Sequence, residues 1–420
     1  LEEMVEQLEE QNKALSEENA SLIQKLGSLG MNQKGVSPVT EPMTSTPVDD
    51  TDYVALGNEL LKRRELQDLP IPTVTSTEDE VKAVILDWLK KIHPPEHGVR
   101  EGAALHALGL IPETLDTQGP RAALLARRVT GWYDEKAGTL MVIPPHREPG
   151  GTLIQTEPAL AIAYGNLLHH YGDSLFGPDY ARLTSDERNA RLALVGGDAA
   201  LTRFLHSLAN PSMPNPNEVT LPVDDPDHPL NQIPVPDYLR QRDLLPMTEG
   251  FEFVQTLHSI GGWPQVAGAY QRTPESTAEI MDSERYLGDT RLPPIAVSVQ
   301  DVKWKGREPI WDDRLGQHAL LLYLKRYLET QDALTAAAMW RGDRFLAYAG
   351  EGSAVRGSAH WHIVTGDTEA AKSLQSALRM ALLQHYGLPE DTSLPHKTED
   401  GRTVSVSVEK QTVLLKDESS

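Results

Sequence analysis

The 420-residue chain contains no cysteine. Disulfides, thiolate zinc sites and cysteine nucleophiles are therefore excluded, while the redox compartment stays open, since a zero count fits an envelope protein without requiring one. Positive charge is also scarce: 39 Lys and Arg face 61 Asp and Glu, for a net charge of −22. Such a surface repels nucleic-acid phosphates and anionic membranes, so a nucleic-acid partner is not expected. No apolar run approaches the roughly 18 residues of a membrane span, and no signal peptide is visible. A Gly-x-Ser-x-Gly elbow, a P-loop and a dinucleotide fingerprint are all missing. What is present, 39% hydrophobic residues, is enough for a sizeable core in one large domain or two smaller ones.

Residues 1–29 place Leu1, Leu8, Leu15, Leu22 and Leu29 one heptad apart, with Val5, Asn12, Asn19 and Leu26 on the alternate seam. This is a leucine-zipper pattern. Two seam Asn residues pair best across a parallel two-stranded interface, so self-association as a parallel dimer is expected through these nine positions. Flanking Glu2, Glu3, Glu9, Glu10, Glu17 and Glu18 make the segment a poor face for docking on a globular body. Residues 30–51, rich in Pro, Thr and Ser without apolar periodicity, read as an extended linker. The chain opens at Leu1 in mid-heptad without an initiator Met. That beginning suggests a trimmed precursor whose missing segment carried a signal or anchor.

Residues 52–420 read as one globular domain. Helices are expected at 51–67, at 76–93 behind a Ser76-Thr-Glu-Asp cap, at 102–110, and over most of 157–208. Further helices are expected at 250–262, 274–286 and 315–332. A helix from Arg121 leads into strands turned at Lys136-Ala-Gly, and strands are expected at 344–350, 358–366 and 403–416. The stretch 210–246 reads mostly as loop. The order predicts an α+β fold, predominantly helical, with a small antiparallel sheet, behind the N-terminal parallel coiled coil.

Five separated segments carry a resemblance. They are TGWYDEKAGTL at 130–140, the helical stretch 156–171, RLALVGGDAALT at 191–202, AGAYQRTPESTAEIMDSERYL at 267–287 and AAAMWRGDRFLAY at 336–348. In this order they resemble a bacterial family of HExxH zinc-metallopeptidase-like proteins, over roughly Gly102 to Leu382. In that chemistry two His at i and i+4 on one helix face bind zinc, and the Glu beside the first polarises the zinc-bound water. The resemblance implies a third ligand, a Glu, some forty residues downstream. Here the motif reads Thr156-Glu157-Pro158-Ala159-Leu160 and the downstream segment Gly196-Gly197-Asp198-Ala199. The former ligand positions are thus Thr156, Leu160 and Gly196, and only a vestigial Glu157 survives; no HExxH occurs in the chain.

Pro158 is tolerated only in the first turn of a helix, so Thr156 is expected to cap a helix starting there, with Glu157 favourably placed at its positive end. Where the family more often has His-Pro, this chain has Asp282-Ser283 before Glu284-Arg285-Tyr286. Glu157, Asp198, Asp282 and Tyr286 are the residues a surviving cleft would contain. Trp340, Gly342, Asp343 and Arg344 read as a turn leading into a strand, and Asp198 as a helix cap or brace.

No metal or other cofactor is expected. Material for a rebuilt metal site exists in His169, His170 and Asp173 and in His360 and His362. Adjacent helical histidines point about 100° apart, however, and two histidines at strand spacing lack a third ligand nearby. The expectation is a non-catalytic pseudopeptidase, a dimeric binding or scaffolding protein of the bacterial envelope, exported as a periplasmic or membrane-anchored protein, with a peptide or envelope protein as partner. The competing expectation is a divergent hydrolase with a rebuilt or non-zinc active site. A third is an assembly module whose role lies mainly in the zipper.

Overall fold

The computed structural model describes residues 51–419 apart from 69, 148–152, 155, 211–228, 289–290, 300–301 and 351–355. The zipper over 1–29 and nearly all of the linker lie outside the described residues. From there the chain forms α1 (Tyr53–Arg64), β1 (Thr73–Thr75), α2 (Glu78–Ile92), α3 (His97–Ala107), α4 (Gln118–Val129), β2 (Gly131–Asp134) and β3 (Thr139–Val142). Two short strands, β4 (His146–Arg147) and β5 (Leu153–Ile154), precede the central helices α5 (Pro158–Leu175) and α6 (Ser185–Ala209).

Each start has a local cause. Asp52 accepts from the amides of Val54 and Ala55 to open α1. Thr77, rather than Ser76, opens α2 in a reciprocal box with Glu80, and Thr184 does the same for α6 with Glu187. These boxes satisfy amides that no helical carbonyl can reach.

The second half holds α7 (Asp237–Arg242), α8 (Glu249–Gln271), α9 (Thr277–Met281), α10 (Ser283–Leu287), β6 (Trp311–Asp313), α11 (Gly316–Lys325) and α12 (Thr330–Ala337). It ends with β7 (Trp340–Tyr348), β8 (Ser358–Thr365), α13 (Thr368–His385), β9 (His396–Lys397), β10 (Thr403–Glu409) and β11 (Thr412–Glu418). Helix α8 runs past its expected end at Gly262, kinking where Gly261 and Gly262 leave helical geometry and resuming around Pro264.

The fold is α+β and predominantly helical, as expected, but the sheet is larger than the sequence pattern suggested. Six antiparallel strands lie in the order β6-β7-β8-β11-β10-β9, and a separate three-stranded sheet β1-β3-β2 pairs β1 with β3 in parallel. Strands of two or three residues such as β6 and β9 show no alternation of their own, which is why the pattern missed them. Trp340 to Arg344, read as a turn, are already strand, with a register shift between Trp340 and Gly342. Helix α13 was not anticipated.

Two main cores result. One packs α11, α12 and α13 on the six-stranded sheet around Trp340, Phe345 and Trp361. The other gathers α2, α4, α5, α6 and α8 around Trp132, Tyr164 and Phe253.

Candidate functional site

Thr130 ends α4 in the left-handed conformation (φ 56°), and its hydroxyl accepts the Glu157 amide at 3.0 Å. Glu157, not Thr156, is the residue that caps α5, with Pro158 in the first turn. The proline fits there because a first-turn N–H has no helical acceptor in any case. The Glu157 carboxylate does not point at a metal pocket. Both its oxygens are taken by Arg203 on α6, at 2.7 and 2.6 Å.

The Thr156 hydroxyl is buried without a partner. Leu160 is 3% exposed and belongs to the helical core. Gly196 lies so close to the loop before α8 that a Cβ placed on it would sit 2.4 Å from Pro246 Cβ.

Asp198 is fully buried and binds Arg64 of α1 through two bonds of 2.7 and 2.9 Å. It also accepts from the Tyr270 hydroxyl at 2.9 Å and from Thr202 at 3.3 Å. The Arg64 guanidinium stacks 4.4 Å from the Trp263 ring, and Tyr270 stacks on Tyr171 at 3.7 Å. Burial, with the Asp198 carboxylate beside it, pushes the Tyr270 phenol far above its ordinary range. Asp198 is therefore a brace joining α1, α6 and α8.

Asp282 caps α10 and pairs with Arg285. Tyr286 donates to the Arg272 carbonyl at 2.8 Å and sits against the Arg272 and Arg291 guanidiniums at 4.7 and 5.2 Å. Among the described residues no hydrogen bond or ion pair joins any two of Glu157, Asp198, Asp282 and Tyr286.

The candidate metal histidines separate in the same way. His169 bonds the Tyr133 hydroxyl at 3.0 Å, whereas His170 lies 2.6 Å from the Asp68 carboxylate. On β8, His360 bonds Glu418 at 2.8 Å, and burial with His360 alongside pushes His362 down to about 4. Among the described residues no group of three His, Asp or Glu has the geometry to hold a metal ion.

Asp343 is another brace. It accepts the amides of Leu315 and Gly316 and the indole N–H groups of Trp340 and Trp361, each at 2.9 Å. Burial raises its pKa, and the four donors oppose that rise.

Sequence reasoning missed a buried polar centre between the two cores. Helix α2 stops at His93 because Pro94 and Pro95 follow, and Glu96 takes a left-handed conformation (φ 60°) before α3 begins. This sharp junction stacks the rings of His93 and His97 at 4.0 Å and 5°. Burial pushes His93 down to about 2 and His97 to about 4, so both imidazoles are neutral near pH 7.

One turn along α3, burial by itself would raise Glu101. Arg242 of α7, bonded at 2.9 Å, instead holds it below the usual carboxylate range. Arg121 and Arg128 project from α4 on the same stripe as Leu125, a charged interruption of an apolar face that is visible in the sequence. Tyr164 and Tyr180 complete the surroundings, each with a buried hydroxyl lacking a partner.

In comparisons with protein-family models, curated proteins and solved structures, nothing matches this chain. Among the described residues no helix is long and apolar enough to cross a membrane.

Proposed function

We propose that this chain is a degenerate relative of the HExxH zinc-metallopeptidase-like proteins it resembles, a pseudopeptidase that binds or scaffolds rather than cleaves. The observation that carries the reading is the two-bond clamp of Arg203 on Glu157. A carboxylate whose two oxygens both accept from a guanidinium is turned toward that partner and away from any metal-bound water it would have to orient. Leu160 in the apolar core and Gly196 against Pro246 support it, because the first faces apolar packing and the second leaves no space for a ligand side chain. The occupant of the old substrate region is proposed to be a peptide or envelope protein. The chain is proposed to be exported and to work as a dimer joined through residues 1–29.

The test is metal content of the full chain by plasma mass spectrometry, after zinc loading and dialysis without chelator. Less than about a tenth of an equivalent is expected, since a site without deprotonated ligands retains no zinc. Near one equivalent would overturn the pseudopeptidase reading in favour of a rebuilt hydrolase site. Sedimentation equilibrium of the full chain beside a version lacking residues 1–51 tests the dimer, which is expected only with the zipper present.

A further inference from the structure

Between α4, α6 and α7 lies a small cavity of about 10 Å³, lined by Arg121 and Arg128, by Asn189, and by Arg242 and Asp243. Three guanidiniums therefore meet in a space with room for about one water-sized group. Their partners are too few. Arg242 gives one nitrogen to Glu101 at 2.9 Å, while its Nε stands 3.5 Å from Asp243 and Arg121 Nε stands 3.8 Å from the same oxygen. Among the described residues Arg128 has no hydrogen-bond acceptor at all, although its Nε and Nη1 are buried. Arg242 Nη2 is likewise buried and unpaired, on a side chain only 5% exposed, and Arg121 is 6% exposed. Asp243 Oδ2 also lacks a donor.

Guanidinium does not shed its proton, so an unsatisfied buried one cannot escape by becoming neutral. Burial does pull the Arg128 pKa down, the direction expected of a charge short of partners. The count of charges is specific. Three cations, Arg121, Arg128 and Arg242, face two carboxylates, Asp243 and Glu101, leaving one positive charge over. His93 and His97 add none, and the charge of Arg188 is offset by the Asp313 carboxylate, whose pKa burial raises and Arg188 pulls back down. A water molecule could accept from some of these donors but would leave the charge uncompensated.

We infer that this cavity is a binding site for a single monovalent, monoatomic anion of the halide class, held by Arg121, Arg128 and Arg242. Its charge balances the excess, and its spherical shape accepts N–H donors from several directions. Tetrahedral oxyanions are excluded by size. The bound ion ties α4 to α7 beside α6, at the seam of the two cores.

The site can be tested on the full chain by thermal unfolding in sodium chloride and in sodium gluconate at one ionic strength, with sodium phosphate as a third series. The melting temperature is expected to rise saturably with chloride and not with gluconate or phosphate. Arg128→Gln, at the half-buried mouth of the cavity, is expected to weaken the apparent chloride affinity at least about tenfold while unfolding stays cooperative. Equal melting curves in chloride and gluconate, or an unchanged chloride response in R128Q, would overturn the inference. Stabilisation by phosphate in place of chloride would overturn it as well. Should R128Q fail to fold, bromide-soaked crystals of the unaltered chain decide: an anomalous peak among the three guanidiniums supports the site, and water alone in the cavity rejects it.

Discussion

Replacing Asp198 with alanine tests the claim that this residue, two positions after Gly196, holds the fold together. Asp198 is 0% exposed and Arg64 3% exposed, and two bonds of 2.7 and 2.9 Å join them. In D198A the guanidinium stays in place without its counter-ion, a change that typically costs about 3–5 kcal/mol. The Tyr270 hydroxyl loses its acceptor too, adding on the order of 1 kcal/mol. The Trp263 ring, 4.4 Å from Arg64, retains part of the cation's stabilisation and moderates the loss. The sum is about 4 kcal/mol, a large share of the roughly 5–15 kcal/mol by which a typical domain is stable.

The companion variant Arg64→Met/Asp198→Ala removes the stranded charge, so its loss should be smaller than that of D198A alone. The assay is urea unfolding followed by circular dichroism, completed as a double-mutant cycle with R64M. A coupling of about 2–3 kcal/mol is expected for residues in direct contact. A loss below about 1 kcal/mol in D198A, or additive effects, would refute the brace.

Gly196→Ala should destabilise by about 1–3 kcal/mol through overpacking against Pro246. The control Gly268→Ala, in helix α8 with nothing within 4 Å of its added Cβ, should be neutral or stabilising by up to about 1 kcal/mol. Urea midpoints of the two variants side by side check this, and equal effects would contradict the close approach at Gly196.

Acid sensitivity follows from the buried histidines. His93 is pushed to about 2, and His97, His318, His362 and His385 to about 4, each mainly by burial. In the unfolded chain these groups titrate near 6.5. Their folded pKa values are lower, so the unfolded state binds more protons between about 4 and 6.5, and their contribution is full above that window and lost as pH falls through it. Asp186, pushed up to about 7 by burial, acts in the opposite sense, with Asp313 and Asp343 raised in the same direction. The five histidines outnumber them. The urea midpoint should be lower at pH 5 than at pH 7.5, and a flat or rising midpoint on acidification would contradict the burial of these neutral rings.

Most helices were legible because their signals are local. Although the start of α6 at Thr184 was not read from the sequence, the cap beside Ser76 and the apolar spacing of the central helices act within a few residues of chain. So does Pro158, which limits where α5 can begin whatever surrounds it. The lack of an HExxH motif is likewise a fact of the sequence, as are the charge of −22 and the lack of thiols, which restrict chemistry before any folding.

Contacts between distant segments were decided only by the tertiary structure. Nothing local to Glu157 announces Arg203 as its partner, and nothing local to Asp198 announces Arg64, 134 positions away. The six-stranded sheet needed the short edge strands β6 and β9, whose pairing comes from their neighbours rather than from their own pattern. The Arg-rich cavity is the clearest case. Its charges come from α4 and α7, and they meet because apolar packing brings those helices together, so their burial and unmet hydrogen bonds exist only in the folded chain.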